Sequence, residues 1–376
     1  MEKKKKKKRI VFITPQINLE LSGIANTSYH LIDAFSRSVK LNVLCGSPSV
    51  ECKFDNVKIY KSKFGIQNLF SKLLLAFSIK NKLERICKEN KPDFVLSIVY
   101  TYAIGCMKAK KKFGVRYGVM VHGSELMHRY YKIGLISKLQ ERQRKKVLEN
   151  ADIVFANSQY TKDLLLSMYK IDRCEVIHPP IHFKEKNFES SKINFSLLSL
   201  GRIVERKGYQ DVIEAMPEIL KEFPQMRYII AGTGEYEDML KKRVNELHLT
   251  KRVIFKGRVS ESEKEKLYQE CDYFILPSYP DEKSGVEGFG IVYVEANMYG
   301  KYVLASKTGG IPDAVIEGVT GEFVKEKDAM GIAKAIIDLY RTPKDHFQDC
   351  IEWAKKQDRI PISKQYLAAI CRVITK

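Results

Sequence analysis

The feature that most limits how this chain can fold is an alternation that runs twice along it. Short runs rich in β-branched residues, at 9–14, 41–45, 57–60, 94–99, 117–121, 153–156 and 174–177, are separated by helical patterns at 24–36, 69–89, 137–149 and 161–169. His178-Pro179-Pro180 breaks the series, and the polar stretch 183–191 reads as a linker. A second series opens at 195–200 and continues with strand runs at 228–231, 253–256, 273–276 and 302–305. Its helical patterns fall at 209–222, 236–247, 263–270, 291–299 and 330–340. Strands that alternate with helices call for βαβ units, whose crossovers lay helices on both faces of a parallel sheet. The expected fold class is therefore α/β, two Rossmann-like doubly wound domains facing a central cleft. Open sheets of this kind bind ligands beyond the carboxyl ends of their strands. The first domain is expected over 1–183 and the second over 184–352.

Charge separates the two halves. Residues 1–183 carry 34 Lys+Arg against 15 Asp+Glu, while residues 184–376 carry 31 against 30, so nearly all of the net +20 lies in the first half. A field of one sign on one domain attracts polyanions, either nucleic acid or the anionic headgroups of a cytoplasmic leaflet. Lys138, Arg142, Lys145 and Lys146 recur at helical spacing and form one cationic face, which a solvated surface explains as well as a lipid contact does. Leu69, Phe70, Leu73, Leu74 and Phe77, with Lys72, Lys80 and Lys82 nearby, form an apolar stripe suited to an interface or to a core. The longest uncharged stretch, 94–107, is too short to span a bilayer, for which roughly 18 residues are needed. The basic amino terminus leads straight into a strand run and lacks a signal-peptide core. Eight cysteines stand singly, with no zinc-ligand spacing, as reduced thiols in a cytosolic protein would.

Two segments of the second half carry chemistry. Gly201-Arg202-Ile203-Val204-Glu205-Arg206-Lys207-Gly208 lies between a strand and a helix, where free backbone N–H groups and two cations, Arg202 and Lys207, suit a pyrophosphate. A surface loop with solvated charges accounts for the same residues. Glu287-Gly288-Phe289-Gly290 leads into a helix that contains Glu295, so the two carboxylates meet different parts of one ligand. A buried Glu295 needs hydroxyl or amide partners, which a ribose diol supplies; a solvated helix glutamate is the alternative.

In order, the segments GRIVERKG, AGTGEYEDML, VIFKGRVS, LPS, EGFGIVYVEA and SKTGGIPDAVIEGVTGEFV resemble the retaining GT-B glycosyltransferases of the group 1 family, family 4-like. The loop 278–286 is similar to that of members acting on lipid acceptors, mannosyltransferases among them. The resemblance implies that Arg202 and Lys207 hold the donor diphosphate, Glu295 the ribose, and Glu287 the sugar hydroxyls. It implies backbone contacts from Gly288, Phe289 and Gly290. Gly232 and Gly234 would shape a loop beside the nucleotide, with Arg258 and Val259 seating the base. In the first half the likeness is looser. Leu21-Ser22-Gly23-Ile24 lies where the family has a Gly-Gly pair, so only Gly23 matches and Ser22 departs. Val121-His122-Gly123-Ser124-Glu125 matches an H-G-x-D-like segment, with Glu125 for the usual Asp, and implies that His122 faces the donor sugar. Residues 353–376, with Trp353, Tyr366, Leu367, Ala369, Ile370 and Val373, would return to pack on the first domain.

The implied activity is retaining transfer of a hexose from a nucleotide sugar, GDP-mannose or a UDP-hexose or HexNAc, to a lipid-linked or cell-envelope saccharide acceptor. The expected enzyme works at the cytoplasmic membrane face, is held there through its basic domain, needs no metal or other cofactor, and binds no nucleic acid. Two other readings compete. An epimerase or dehydrogenase predicts G-x-G-x-x-G after the first strand, where 14–23 holds a single glycine. A non-catalytic nucleic-acid or polyanion binder explains the charge, but the sequence contains no recognisable nucleic-acid module.

Overall fold

The computed structural model describes residues 7–17, 23–46, 54, 56–62, 69–127, 135–184, 193–281 and 285–375. The chain divides into two compact units, one of residues 1–182 with 358–376, the other of 183–357.

The first unit contains β1 (Arg9–Thr14), α1 (Gly23–Ser38), β2 (Lys40–Cys45), β3 (Val57–Lys61), α2 (Leu69–Asn90), β4 (Phe94–Ser97), α3 (Ala103–Phe113), β5 (Arg116–Val121), α4 (Ser124–Met127), α5 (Leu135–Glu149), β6 (Ile153–Ala156), α6 (Gln159–Met168) and β7 (Cys174–Val176). Its sheet runs β3-β2-β1-β4-β5-β6-β7, with every pair parallel. The two-residue period of a strand explains the double-sided core. In β1, Ile10 and Phe12 join a cluster with Leu31 and Phe35 of α1. Val11 and Ile13 join another with Leu83 of α2 and Cys106 of α3.

The second unit contains β8 (Ser196–Leu200), α7 (Tyr209–Glu222), β9 (Arg227–Ala231), α8 (Glu237–Glu246), β10 (Val253–Gly257), α9 (Glu261–Glu270), β11 (Tyr273–Leu276), α10 (Ile291–Asn297), β12 (Val303–Ser306), β13 (Gly321–Val324), α11 (Ala329–Arg341) and α12 (Phe347–Lys356). Its sheet runs β10-β9-β8-β11-β12-β13, again wholly parallel. In both units the order reverses at the first strand, so the segments after β1 and β8 lie at switch points, where such sheets bind ligands.

The last helix, α13 (Arg359–Ile374), belongs to the first unit. Ile362, Tyr366, Ala369, Ile370 and Val373 enter the core cluster on the α1 side of the sheet, and the Tyr366 hydroxyl donates to Ile177 O at 3.3 Å. The segment expected to return from residue 353 stays in the second unit as far as Gln357. The reason is α12, where Cys350 and Ala354 are buried and Trp353 Nε1 donates to Ala314 O at 3.0 Å.

Candidate active site

Three loops at the carboxyl ends of β8, β9 and β10 are sewn together by backbone hydrogen bonds. Gly201 N donates to Ala231 O at 3.0 Å, Ile203 N to Thr233 O at 3.0 Å, and Gly232 N to Gly257 O at 2.8 Å. The approach is so close that glycine is required: a Cβ on Gly232, where φ is +137°, would lie 1.9 Å from Gly201 O, and one on Gly234 would lie 2.0 Å from Ile203 O. Beyond Ile203 the chain makes a short 3-10 turn, Glu205–Lys207, before α7 begins.

That turn sets the cations. Lys207 is buried, and its ammonium lies 2.5 Å from Glu287 Oε2. Arg206, also largely covered, reaches the same oxygen at 3.4 Å. Burial alone would push the Glu287 carboxyl up; the two cations outweigh it and hold the group down at about 2. Glu287 is therefore ionised throughout the neutral range. Its carbonyl accepts from Gly310 N at 2.9 Å, which ties its loop to the segment after β12.

The sequence picks Arg202 and Lys207 as the cationic pair. In the structure Lys207 and Arg206 both pair with Glu287, and Arg202 is exposed. Arg206 escaped sequence reasoning because three cations within six residues give no hint of which side chains a 3-10 turn directs inward.

Gly288 is half-buried, Phe289 buried, and Gly290 directly precedes α10. Glu295, in the second turn of α10, is not a solvated glutamate. Its Oε1 lies 3.4 Å from Lys264 Nζ, and its Oε2 accepts from the Tyr268 hydroxyl at 3.2 Å. Arg258 and Val259 follow β10 and precede the capped start of α9, where Ser260 and Glu263 form a capping box. Arg258 is exposed and Val259 half-buried.

In the first unit, Gly23 opens α1, and a Cβ placed there would meet nothing within 4 Å. Ser22 lies outside the described residues, as do Cys52 and His128. His122 follows β5. Its Nε2 lies 2.8 Å from Ile98 O, and since a carbonyl only accepts, Nε2 carries the proton. The Glu125 carboxylate accepts from His122 N at 2.7 Å, and Asn157 Nδ2 donates to His122 O at 3.1 Å. Glu125 thus fixes the backbone of the turn.

Among the described residues no group of three or more His, Cys, Asp and Glu side chains could hold a metal ion. No helix among them is long and apolar enough to cross a membrane. The seven described cysteines are free thiols.

Two family models match the chain. "Glycosyltransferase Family 4" covers residues 21–185, and "Glycosyl transferases group 1" covers 181–357. Among curated proteins, a GDP-mannose-dependent alpha-(1-6)-phosphatidylinositol monomannoside mannosyltransferase of Mycolicibacterium smegmatis is 33% identical over 149 residues, 39% of this chain and 39% of that protein. A putative colanic acid biosynthesis glycosyltransferase, WcaL, of Salmonella typhimurium is 26% identical over 175 residues, 46% of this chain and 43% of that one. The chain thus matches about two-fifths of the length of these curated relatives. Among solved structures, Anabaena HepE with UDP and glucose has a TM-score of 0.74 at 18% identity, covering 97% of this chain and 99% of the other. Sucrose-phosphate synthase of Thermosynechococcus elongatus has a TM-score of 0.78 at 18% identity, covering 98% and 99%. At that identity the likeness establishes the fold, two parallel-sheet α/β domains of the GT-B type.

Proposed function

Because the chain belongs to the group 1 glycosyltransferases, we propose that it transfers a hexose, with retention, from a nucleotide sugar to a lipid-linked or cell-envelope saccharide acceptor. The observation that carries this reading is the buried Lys207 paired with an ionised Glu287 at the crest of the β8 switch point. A diphosphate seeks such a cation, and a sugar seeks such a carboxylate. Bound donor would take over the Lys207 ammonium with its leaving phosphate, while Arg206 keeps Glu287 charged and its free acceptor positions meet sugar hydroxyls. Exposed Arg202 would add the second cation on the diphosphate, and Glu295 would hold the ribose.

In the reaction the bond from the anomeric carbon to the phosphate oxygen breaks and one to the acceptor oxygen forms on the same face. The acceptor proton passes to the departing phosphate. Neutralising charge on that leaving group is the main rate contribution, so fixed cations replace a metal ion. His122, with its proton held on Nε2, would present Nδ1 as an acceptor to the sugar. The reading needs no cofactor.

The first unit would serve the acceptor and dock on an anionic cytoplasmic leaflet. In support, Lys138, Arg142, Lys145 and Lys146 of α5 are all exposed, beside Leu139 at 55% exposure. On α2, Phe77 is 61% exposed with Lys80 5.7 Å from its ring centroid; the side chains of Leu69, Phe70, Lys72, Leu73 and Leu74 lie outside those described.

The test is release of nucleoside diphosphate from GDP-mannose, UDP-glucose, UDP-galactose, UDP-GlcNAc and UDP-GalNAc, with EDTA present and with or without membrane lipid extract. Release from one donor, stimulated by lipid, is expected. Absence of release and of saturable donor binding would remove the transferase reading and favour a polyanion-binding protein.

A further inference from the structure

Glu295 is held from one side by a single helix. Lys264 and Tyr268 are one turn apart on α9, so both project from the same face. Lys264 Nζ reaches Oε1 at 3.4 Å, and the Tyr268 hydroxyl reaches Oε2 at 3.2 Å and Val292 O at 3.4 Å. Lys264 also pairs with Glu261 at 2.9 Å. Among the described residues each oxygen of Glu295 therefore has one donor. A carboxylate offers about four acceptor positions in all, so each oxygen keeps capacity for a ligand. One open position on each of two adjacent oxygens suits two adjacent hydroxyls.

The carboxylate and its support are largely covered from water. The Glu295 side chain is 13% exposed, that of Lys264 15%, and Tyr268 is fully buried. A charge so far from water persists only when paired and hydrogen-bonded. Burial works against the Lys264 charge, but Glu295 and Glu261 outweigh it and raise its pKa. Burial and the Glu295 charge keep the proton on Tyr268. Both groups remain donors across the working range. Helix α9 starts three residues after Arg258, so the segment expected to seat the base continues directly into the support of Glu295.

We propose that Lys264 and Tyr268 are positioning residues for recognition of a vicinal diol, turning Glu295 so that both of its oxygens face the ribose of the donor nucleotide. The inference rests on the reading of Glu295 as the ribose carboxylate. Neither residue has to touch the ligand. Loss of either support weakens nucleotides that carry the diol and leaves those without it unchanged, whereas a residue that merely joined α9 to α10 would affect both alike.

Isothermal titration of the full chain with GDP and UDP, each beside its 2′,3′-dideoxy counterpart, tests this in wild type, Lys264→Met, Lys264→Arg and Tyr268→Phe. Methionine keeps the stem, and phenylalanine keeps the buried ring. Wild type is expected to bind its preferred ribonucleotide at least about tenfold more tightly than the dideoxy form, the order of a hydrogen bond to a charged acceptor. Lys264→Met and Tyr268→Phe should cut that ratio to about threefold or less through the ribonucleotide alone, and Lys264→Arg should restore most of it. An unchanged ratio in both Lys264→Met and Tyr268→Phe overturns the proposal while the ribose reading stands. A wild type that does not distinguish the two forms overturns the ribose reading and the proposal with it.

Discussion

The glycines at the crests of the two sheets differ in the room around them. In the second unit the loops after β8, β9 and β10 hold one another by backbone hydrogen bonds, and Gly232 and Gly234 have no room for a single added carbon. In the first unit Gly23, at the equivalent switch-point turn, has open space where its side chain would be. Glycine in the second unit is demanded by the protein itself. At Gly23 no described atom would meet an added carbon within 4 Å.

Substitution at Lys207 should have the largest effect. Lys207→Ala removes the cation nearest to Glu287 and should lower kcat by about 10²–10³-fold, the scale for loss of a charge-stabilising donor, as read in a donor-turnover assay.

The glycine contrast is tested by a matched pair. Gly234→Ala drives a methyl into the Ile203 carbonyl and should destabilise the second unit by about 3 kcal/mol in urea unfolding. Gly23→Ala should leave unfolding within about 0.5 kcal/mol of wild type and lower kcat/KM by roughly tenfold. Equal stability losses in the two variants would break the comparison.

A smaller effect, within the second unit, is read out by pH. Asp211, in the first turn of α7, is pushed up to about 6 by burial, against the opposing pull of Lys327, and its Oδ2 has no hydrogen-bond partner. A carboxyl whose pKa is raised in the fold binds more protons folded than unfolded. Stability is thus greatest below its ordinary value and falls as pH rises through about 6. Glu287 has the opposite sign: its stabilising contribution is complete above the ordinary range and is lost only as pH falls toward 2. Between pH 5 and 8 the slope from these two groups therefore belongs to Asp211. Asp211→Asn should flatten it and raise stability at pH 8 by about 1 kcal/mol, measured as the urea midpoint against pH.

The sequence revealed most where one segment carried its own signal. The β-branched runs at 9–14, 153–156 and 273–276 coincide with β1, β6 and β11, because buried parallel strands are short and continuously apolar. Helix α3 escaped notice since its buried side are Ala103, Gly105, Cys106 and Ala109, too small to make an apolar stripe. Strand β13, opening on Gly321 at the sheet edge, lacks the composition of a strand. In the site, Lys207, Glu287 and Glu295 stand out in local motifs. Arg206 does not, and Lys264 and Tyr268 support Glu295 from 31 and 27 residues away, a pairing that only the packing of α9 against α10 creates.

On the proposed reading the second unit holds the donor nucleotide and His122 of the first unit does not contribute to nucleotide binding. Equilibrium dialysis of labelled GDP and UDP against wild type, Glu295→Ala and His122→Ala tests it most directly. Saturable binding of one nucleotide by wild type is expected, weakened at least about tenfold in Glu295→Ala and unchanged in His122→Ala. Equal weakening in both variants, or no saturable binding by wild type, would contradict it.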